Sequence, residues 1–226
     1  MDPIRLREAK MQLRRHMNGV TAEIMKSMDG SYAQNYGLSL QHIRDVARSL
    51  DLSPDECDDL WRTRWRDLML VAAAAIAPRD PAPERILEWA EGVPSLELVS
   101  LLPFLVAGRM SAAADLACRL VARGRGYDFA IAANVVANAL VGRPDDAALA
   151  EAAGMVLRAA PGRMPWPLAE GAAVGLLCRR AARAGVAAEA VEAVRKAAVA
   201  APADNMARCV AQEIADEAQM LAEAGS

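Results

Sequence analysis

NYGLSLQHIRDVARSL (residues 35–50), DLSPDECDDLWRTRWRDLML (51–70) and VAAAAIA (71–77) form one continuous stretch in which punctuation, charge and aromatic content combine. Leu40, Ile43, Ala47 and Leu50 recur at the spacing that lines one face of a helix, and Gln41, Arg44, Asp45 and Arg48 fall outside that stripe. Ser53, Pro54 and Glu56 then mark a second helix start. The hydroxyl can accept from an orphan backbone donor, proline sits where no donor is missed, and the N3 carboxylate can reach back. Trp61 and Trp65 are four apart, as are Arg62 and Arg66, so in an unbroken helix each pair shares a face. From Leu68 to Ala77 nearly every side chain is apolar, which predicts a segment buried on all sides.

Toward the N-terminus, Leu6, Ala9, Leu13 and Met17 make an apolar stripe, with Arg7, Lys10 and Arg14 on another side of the same helix. Asn18-Gly19 ends it, Thr21 is placed to cap a short second helix, and Asp29-Gly30-Ser31 opens a loop that carries Tyr32 and Tyr36 to Ser39. Toward the C-terminus, the prolines of Pro78-Arg79-Asp80-Pro81-Ala82-Pro83 stop a helix and make residues 78–83 a possible subdomain joint within a single domain, 1–226. Helical segments then alternate with stops: Glu84–Glu91, Ser95–Ala107, Ser111–Arg123, Asp128–Val141, Asp145–Ala160, Pro167–Ala184, Val186–Ala200 and Asp204–Ala224. Starts near Ser95, Ser111, Asp128 and Asp145 give a two-helix unit of about 33 to 34 residues that lengthens later in the chain. Helix pairs of this size bury their faces by stacking, so the expected fold is an all-α, HEAT-like α-α superhelix whose concave side binds. The tetratricopeptide landmarks W-x-x-L-G-x-x-Y and A-x-x-x-F are missing.

Composition agrees. The 226 residues are 54% hydrophobic but only 4% aromatic, so alanine, leucine and valine build the core, as suits closely packed helices. The longest apolar runs are about half of the roughly 20 residues a membrane helix needs, and the basic N-terminus has no apolar signal segment behind it, so no membrane partner and a cytoplasmic location are expected. Cys57, Cys118, Cys178 and Cys209 are far apart, and His16 and His42 are the only histidines, so neither a disulfide nor a metal site nor any cofactor is expected. Net charge is −3, yet residues 1–50 are basic and the last segment, from Ala184, is acidic. A positive stripe on the body would attract polyanions. Genome composition alone could equally produce so many arginines.

Tyr36-Gly37-Leu38, Ile43-Arg44-x-Val46-Ala47, Leu60-Trp61 and Arg66-Asp67 together resemble the DNA alkylation repair family of HEAT-like DNA glycosylases, over about residues 1–110. The resemblance implies an arc of paired helices with a positive concave face holding duplex DNA, and a helix break near Thr63. Catalytic members carry a Trp-Asp-x-x-Asp type segment, whose aromatic face and carboxylate stabilise the positive charge of a departing alkylated base. In this chain Leu96 and Ser100 stand at the corresponding positions. Leucine offers no π-face and serine no negative charge, which leaves Glu97 and Trp89 as possible substitutes.

The candidate nucleic-acid-binding residues are Lys10, Arg14, Arg62, Trp65 and Arg66, because guanidinium and ammonium groups pair with phosphates and a tryptophan can stack or wedge. The competing readings are structural: Trp61 and Trp65 as core, Asp58 paired with Arg62, Arg66 capping a helix junction, and Lys10 and Arg14 on a solvated face. No catalytic residue is assigned. The expected function is duplex-DNA binding with weak or no glycosylase activity. A scaffold that receives a peptide or helix of a protein partner is the alternative, and an active alkylpurine glycosylase the third reading.

Overall fold

The computed structural model describes residues 1–28 and 32–224; the turn expected at Asp29-Gly30-Ser31 lies outside them. Among the described residues the main elements are α-helices: α1 (Pro3–Arg14), α2 (Gly19–Met28), α3 (Leu40–Leu50), α4 (Pro54–Arg62), α5 (Arg66–Ile76), α6 (Pro83–Glu91), α7 (Leu96–Leu105), α8 (Ala113–Arg123), α9 (Asp128–Gly142), α10 (Ala147–Ala159), α11 (Leu168–Ala184), α12 (Ala188–Val199) and α13 (Asn205–Ala224). None is long and apolar enough to cross a membrane. Two compact units result: residues 1–81 with 92–106, and residues 82–91 with 107–226.

In the first unit the helix signals act as expected. Glu56 N–H donates to Ser53 Oγ and Ser53 N–H to Glu56 Oε2, closing the capping box of α4. At the far end of α4, Thr63 Oγ1 donates to the Leu60 carbonyl and Arg64 adopts a left-handed φ of 56°. Trp65 then becomes the N-cap of α5. The helix therefore breaks at Thr63-Arg64, which separates the two tryptophans: Trp61 is buried and Trp65 only half-buried. Leu68 to Ala73 are fully buried, since α5 packs between α3, α4 and α7. The burial on all sides expected of this segment stops there: Ala74, Ala75 and Ala77 are half-exposed, because α5 emerges from its neighbours in its last turn.

Gly37 sets the place of α2. Its φ is +69°, and a Cβ there would lie 2.5 Å from the Asn18 carbonyl oxygen and 2.6 Å from the Ala22 nitrogen. Only glycine lets this loop lie on the first turn of α2. That turn is capped by Asn18, whose Oδ1 accepts from Thr21 N–H at 3.1 Å; the expected cap, Thr21, lies inside the helix.

In the second unit, α9, α11 and α13 pack side by side in one row, and α8, α10 and α12 in another. This is the stacking of helix pairs that the repeat spacing predicts. Small residues allow the close approach: a Cβ on Gly171 would meet Met206 Cε at 2.8 Å. Buried charges are paired. Glu170 accepts from Arg163, Asp128 from Arg123, and Glu217 from Arg183, so each of these buried carboxylates keeps a guanidinium partner.

Candidate nucleic-acid interface

The helical pattern of α1 decides what its side chains can meet. Ala9 and Leu13 are fully buried, and Arg5 ties the helix to its neighbours, its Nη2 donating to the Leu50 carbonyl at the end of α3 and its Nε to Glu56 of α4. Arg7, Lys10 and Arg14, at i, i+3 and i+7, line a different side. Among the described residues, no carboxylate lies within ion-pair distance of Arg7, Lys10, Arg14 or Arg15. Elsewhere the arginines are largely consumed by such pairs, from Arg79 with Asp51 to Arg195 with Glu192.

Lys10 joins this basic side to Trp65. Its Nζ lies 4.2 Å from the centre of the indole ring, and Tyr36 meets the same ring edge-on at 5.8 Å. The backbone holds the arrangement: Ala33 N–H donates to the Arg64 carbonyl and Arg66 N–H to the Gln34 carbonyl, both at 2.9 Å. The loop carrying Tyr36 thus runs beside the α4–α5 break. Just beyond Arg15, the rings of His16 and His42 stack at 4.4 Å and tie the end of α1 to the first turn of α3.

Lys10, Arg14 and Trp65 therefore belong to one accessible region. Arg62 is exposed but pairs with Asp59, not with the expected Asp58, because the i,i+3 partner closes the contact at 2.9 Å. Arg66 is placed differently: it is only 2% exposed. Its Nε and Nη2 donate to Glu97, and its Nη1 to Asp67 and to the Leu38 carbonyl. Burial opposes its charge, yet the bonds and charges of Glu97 and Asp67 prevail and hold its pKa above the ordinary arginine value. Asp67 in turn accepts from Tyr36 N–H at 2.6 Å and Leu38 N–H at 3.1 Å. The network ends at Tyr32, whose hydroxyl donates to Glu97 at 2.9 Å and lies 2.5 Å from Ser95 Oγ. Burial first and the Glu97 charge second push the phenol upward, so it stays a donor. Arg66 is thus the internal tie between α5, the Tyr36–Leu38 loop and α7, as the helix-junction reading has it.

Among family models, that of the DNA alkylation repair enzyme matches residues 9–125, more than half of the chain. The chain belongs to this family. In this DNA alkylation repair family member the matched segment takes in Lys10, Arg14 and Trp65, and with them the whole of α2 to α5. No curated protein matches the sequence. A solved structure from a new family of proteins related to the HEAT-like repeat DNA glycosylases, with affinity for branched DNA structures, matches with a TM-score of 0.67 at 15% identity, covering 92% of this chain and 82% of that one. The all-α fold of this DNA alkylation repair family member is therefore HEAT-like.

The positions where the resemblance places catalytic groups are now defined. Leu96 is 38% exposed and Ser100 is exposed. Glu97 is bound to Arg66 and Tyr32, and Trp89 is buried in the second unit. Sequence reasoning does not single out Arg15 as a binding residue, nor the Tyr32–Glu97–Arg66 network. The i, i+3, i+7 spacing of α1 signals the basic side; nothing local signals a partner for Arg66 that lies 31 residues away.

Proposed function

We propose that this protein binds DNA through the basic side of α1 and the adjoining Trp65, and that it does not release alkylated bases. The observation that carries the reading is a set of four cations at α1 and its C-cap, Arg7, Lys10, Arg14 and Arg15, none held by a carboxylate among the described residues. Desolvation and pairing consume most other arginines, whereas these remain available to phosphate oxygens, the source of most sequence-independent DNA affinity. Family membership and the fold shared with a protein of branched-DNA affinity support the same ligand.

The catalytic part rests on chemistry. An oxocarbenium-like centre needs a free negative charge and an aromatic face. Leu96 and Ser100 supply neither, and the nearest carboxylate, Glu97, is already neutralised by bonds from Arg66 Nε and Nη2. Arg62 adds to the binding region only by exchanging Asp59 for a phosphate. Arg66 acts from within, by positioning the loop that presents Tyr36 to Trp65.

The test uses methylated and unmethylated duplexes with the wild-type protein and a Lys10→Glu/Arg14→Glu variant. Wild type shifts both duplexes and releases no methylated base, while the variant, equally helical, shifts neither. Base release by wild type would overturn the non-catalytic reading. Unchanged binding by the variant would overturn the interface.

A further inference from the structure

Among the described residues three cations sit over aromatic rings, and the three pairs are not alike. Arg163 lies 4.4 Å from the centre of Phe129, but that ring is only 3% exposed and the guanidinium is held by Glu170. This pair is internal to the second unit. Lys10 over Trp65 belongs to the α1 region described above. The third pair has no such assignment: Arg44 of α3 places its guanidinium carbon 5.4 Å from the centre of Phe104, near the end of α7, and Phe104 is 40% exposed.

Both helices belong to the first unit and pack against α5, whose short side chains from Ala72 to Ala75 leave room for one arginine to reach from α3 to α7. Among the described residues no carboxylate lies within ion-pair distance of Arg44. The acidic groups of the same two helices are already engaged, Asp45 by Arg48 and Gln41, and Glu97 by Arg66 and Tyr32. Arg44 is half-buried, so the ring fixes its guanidinium in place while the N–H donors are left without an anion.

An exposed ring beside an unneutralised guanidinium selects its occupant by size and charge. One ring and one cation are too few for a stable protein interface, which needs about 1,000 Å². One nucleobase, in contrast, covers one phenyl ring, and stacking on aromatic side chains with arginine alongside is how single strands are held without regard to sequence. Bases inside a duplex have their faces covered by their neighbours, so only an unpaired base can use Phe104. The phosphate next to that base supplies the anion that Arg44 lacks.

We infer that Phe104 and Arg44 form a stacking platform for an unpaired nucleotide, so that this chain holds single-stranded DNA at a place separate from its duplex-binding face. The inference rests on the DNA-binding reading above for the class of polymer. The basic side of α1 binds the duplex backbone, and the α3–α7 platform binds a base.

The experiment measures anisotropy of a labelled oligothymidylate, which forms no base pairs of its own, with a linear duplex as the parallel ligand at the same salt concentration. Wild type is compared with Phe104→Leu, Phe104→Tyr and Arg44→Gln, and circular dichroism of each is recorded alongside. Phe104→Leu is expected to weaken single-strand binding on the order of tenfold, and Phe104→Tyr, which keeps a ring, to retain it. Arg44→Gln is expected to weaken it too, and tests the platform from α3 without touching the packing of α7. All four proteins are expected to bind the duplex alike. Single-strand binding that survives both Phe104→Leu and Arg44→Gln, or that is lost equally in Phe104→Tyr, overturns the inference. Wild-type binding to the duplex and not to the single strand overturns it while the DNA-binding reading stands; binding to neither overturns both. Tighter binding of oligouridylate than of oligothymidylate assigns the platform to RNA and also overturns the inference.

Discussion

Lys10 holds its ammonium 4.2 Å from the centre of the Trp65 ring, so a helix near the N-terminus and a helix break far along the chain share one surface. Trp61, Trp89 and Trp166 are all at most 5% exposed, and Trp65 alone of the four is half-exposed. Acrylamide should therefore quench mainly Trp65. Duplex DNA at low salt is expected to remove most of that quenching, and Trp65→Phe to abolish the quenchable part. Unprotected Trp65 in the DNA complex would move the interface elsewhere.

Removing Arg66 tests whether it is an internal tie. Arg66→Ala leaves Asp67 buried and Glu97 without its guanidinium partner, an effect of about 3–5 kcal/mol for a broken buried pair. Chemical denaturation should show that loss, and Arg66→Lys should recover only part of it, because an ammonium cannot reproduce the fork to Glu97, Asp67 and Leu38. A variant as stable as wild type would make Arg66 a surface cation after all.

Acid should weaken the second unit at Glu217. The Arg183 guanidinium, through its hydrogen bond, holds this buried carboxyl below the usual value of 4.5. A carboxyl depressed in the folded state adds stability that is fully present above the unfolded value and disappears as pH falls through the folded one. Below about pH 4.5 wild type is expected to lose stability more steeply than Glu217→Gln, which is less stable at neutral pH. Parallel pH profiles of the two thermal midpoints would remove this role.

Much of the fold can be read from local chemistry. Ser53 and Glu56 name a helix start, Asp51 and Gly124 close helices in the left-handed region, and the spacing of polar caps announces the stacked pairs. The site is less legible, because its key distinctions are long-range. Arg62 and Arg66 look alike in sequence; one ends a helix in solvent and the other points at Glu97 on α7. Trp61 and Trp65 share a face in the sequence pattern until Arg64 turns the backbone to positive φ, a conformation that no neighbouring glycine advertises. The α1 cations are recognisable from spacing alone, since both the periodicity and the charge are local. That none meets a carboxylate among the described residues is known only from the fold, because the partners would come from distant parts of the chain.

The most direct test of DNA binding by the α1 face is fluorescence anisotropy on a labelled duplex from low to physiological salt, with Lys10→Ala/Arg14→Ala in parallel. Binding should weaken steeply with salt, and the double variant should lower the slope of log affinity against log salt by about two, one for each phosphate that Lys10 and Arg14 neutralise in the wild type. Equal slopes for the two proteins, or no binding even at low salt, would contradict the account.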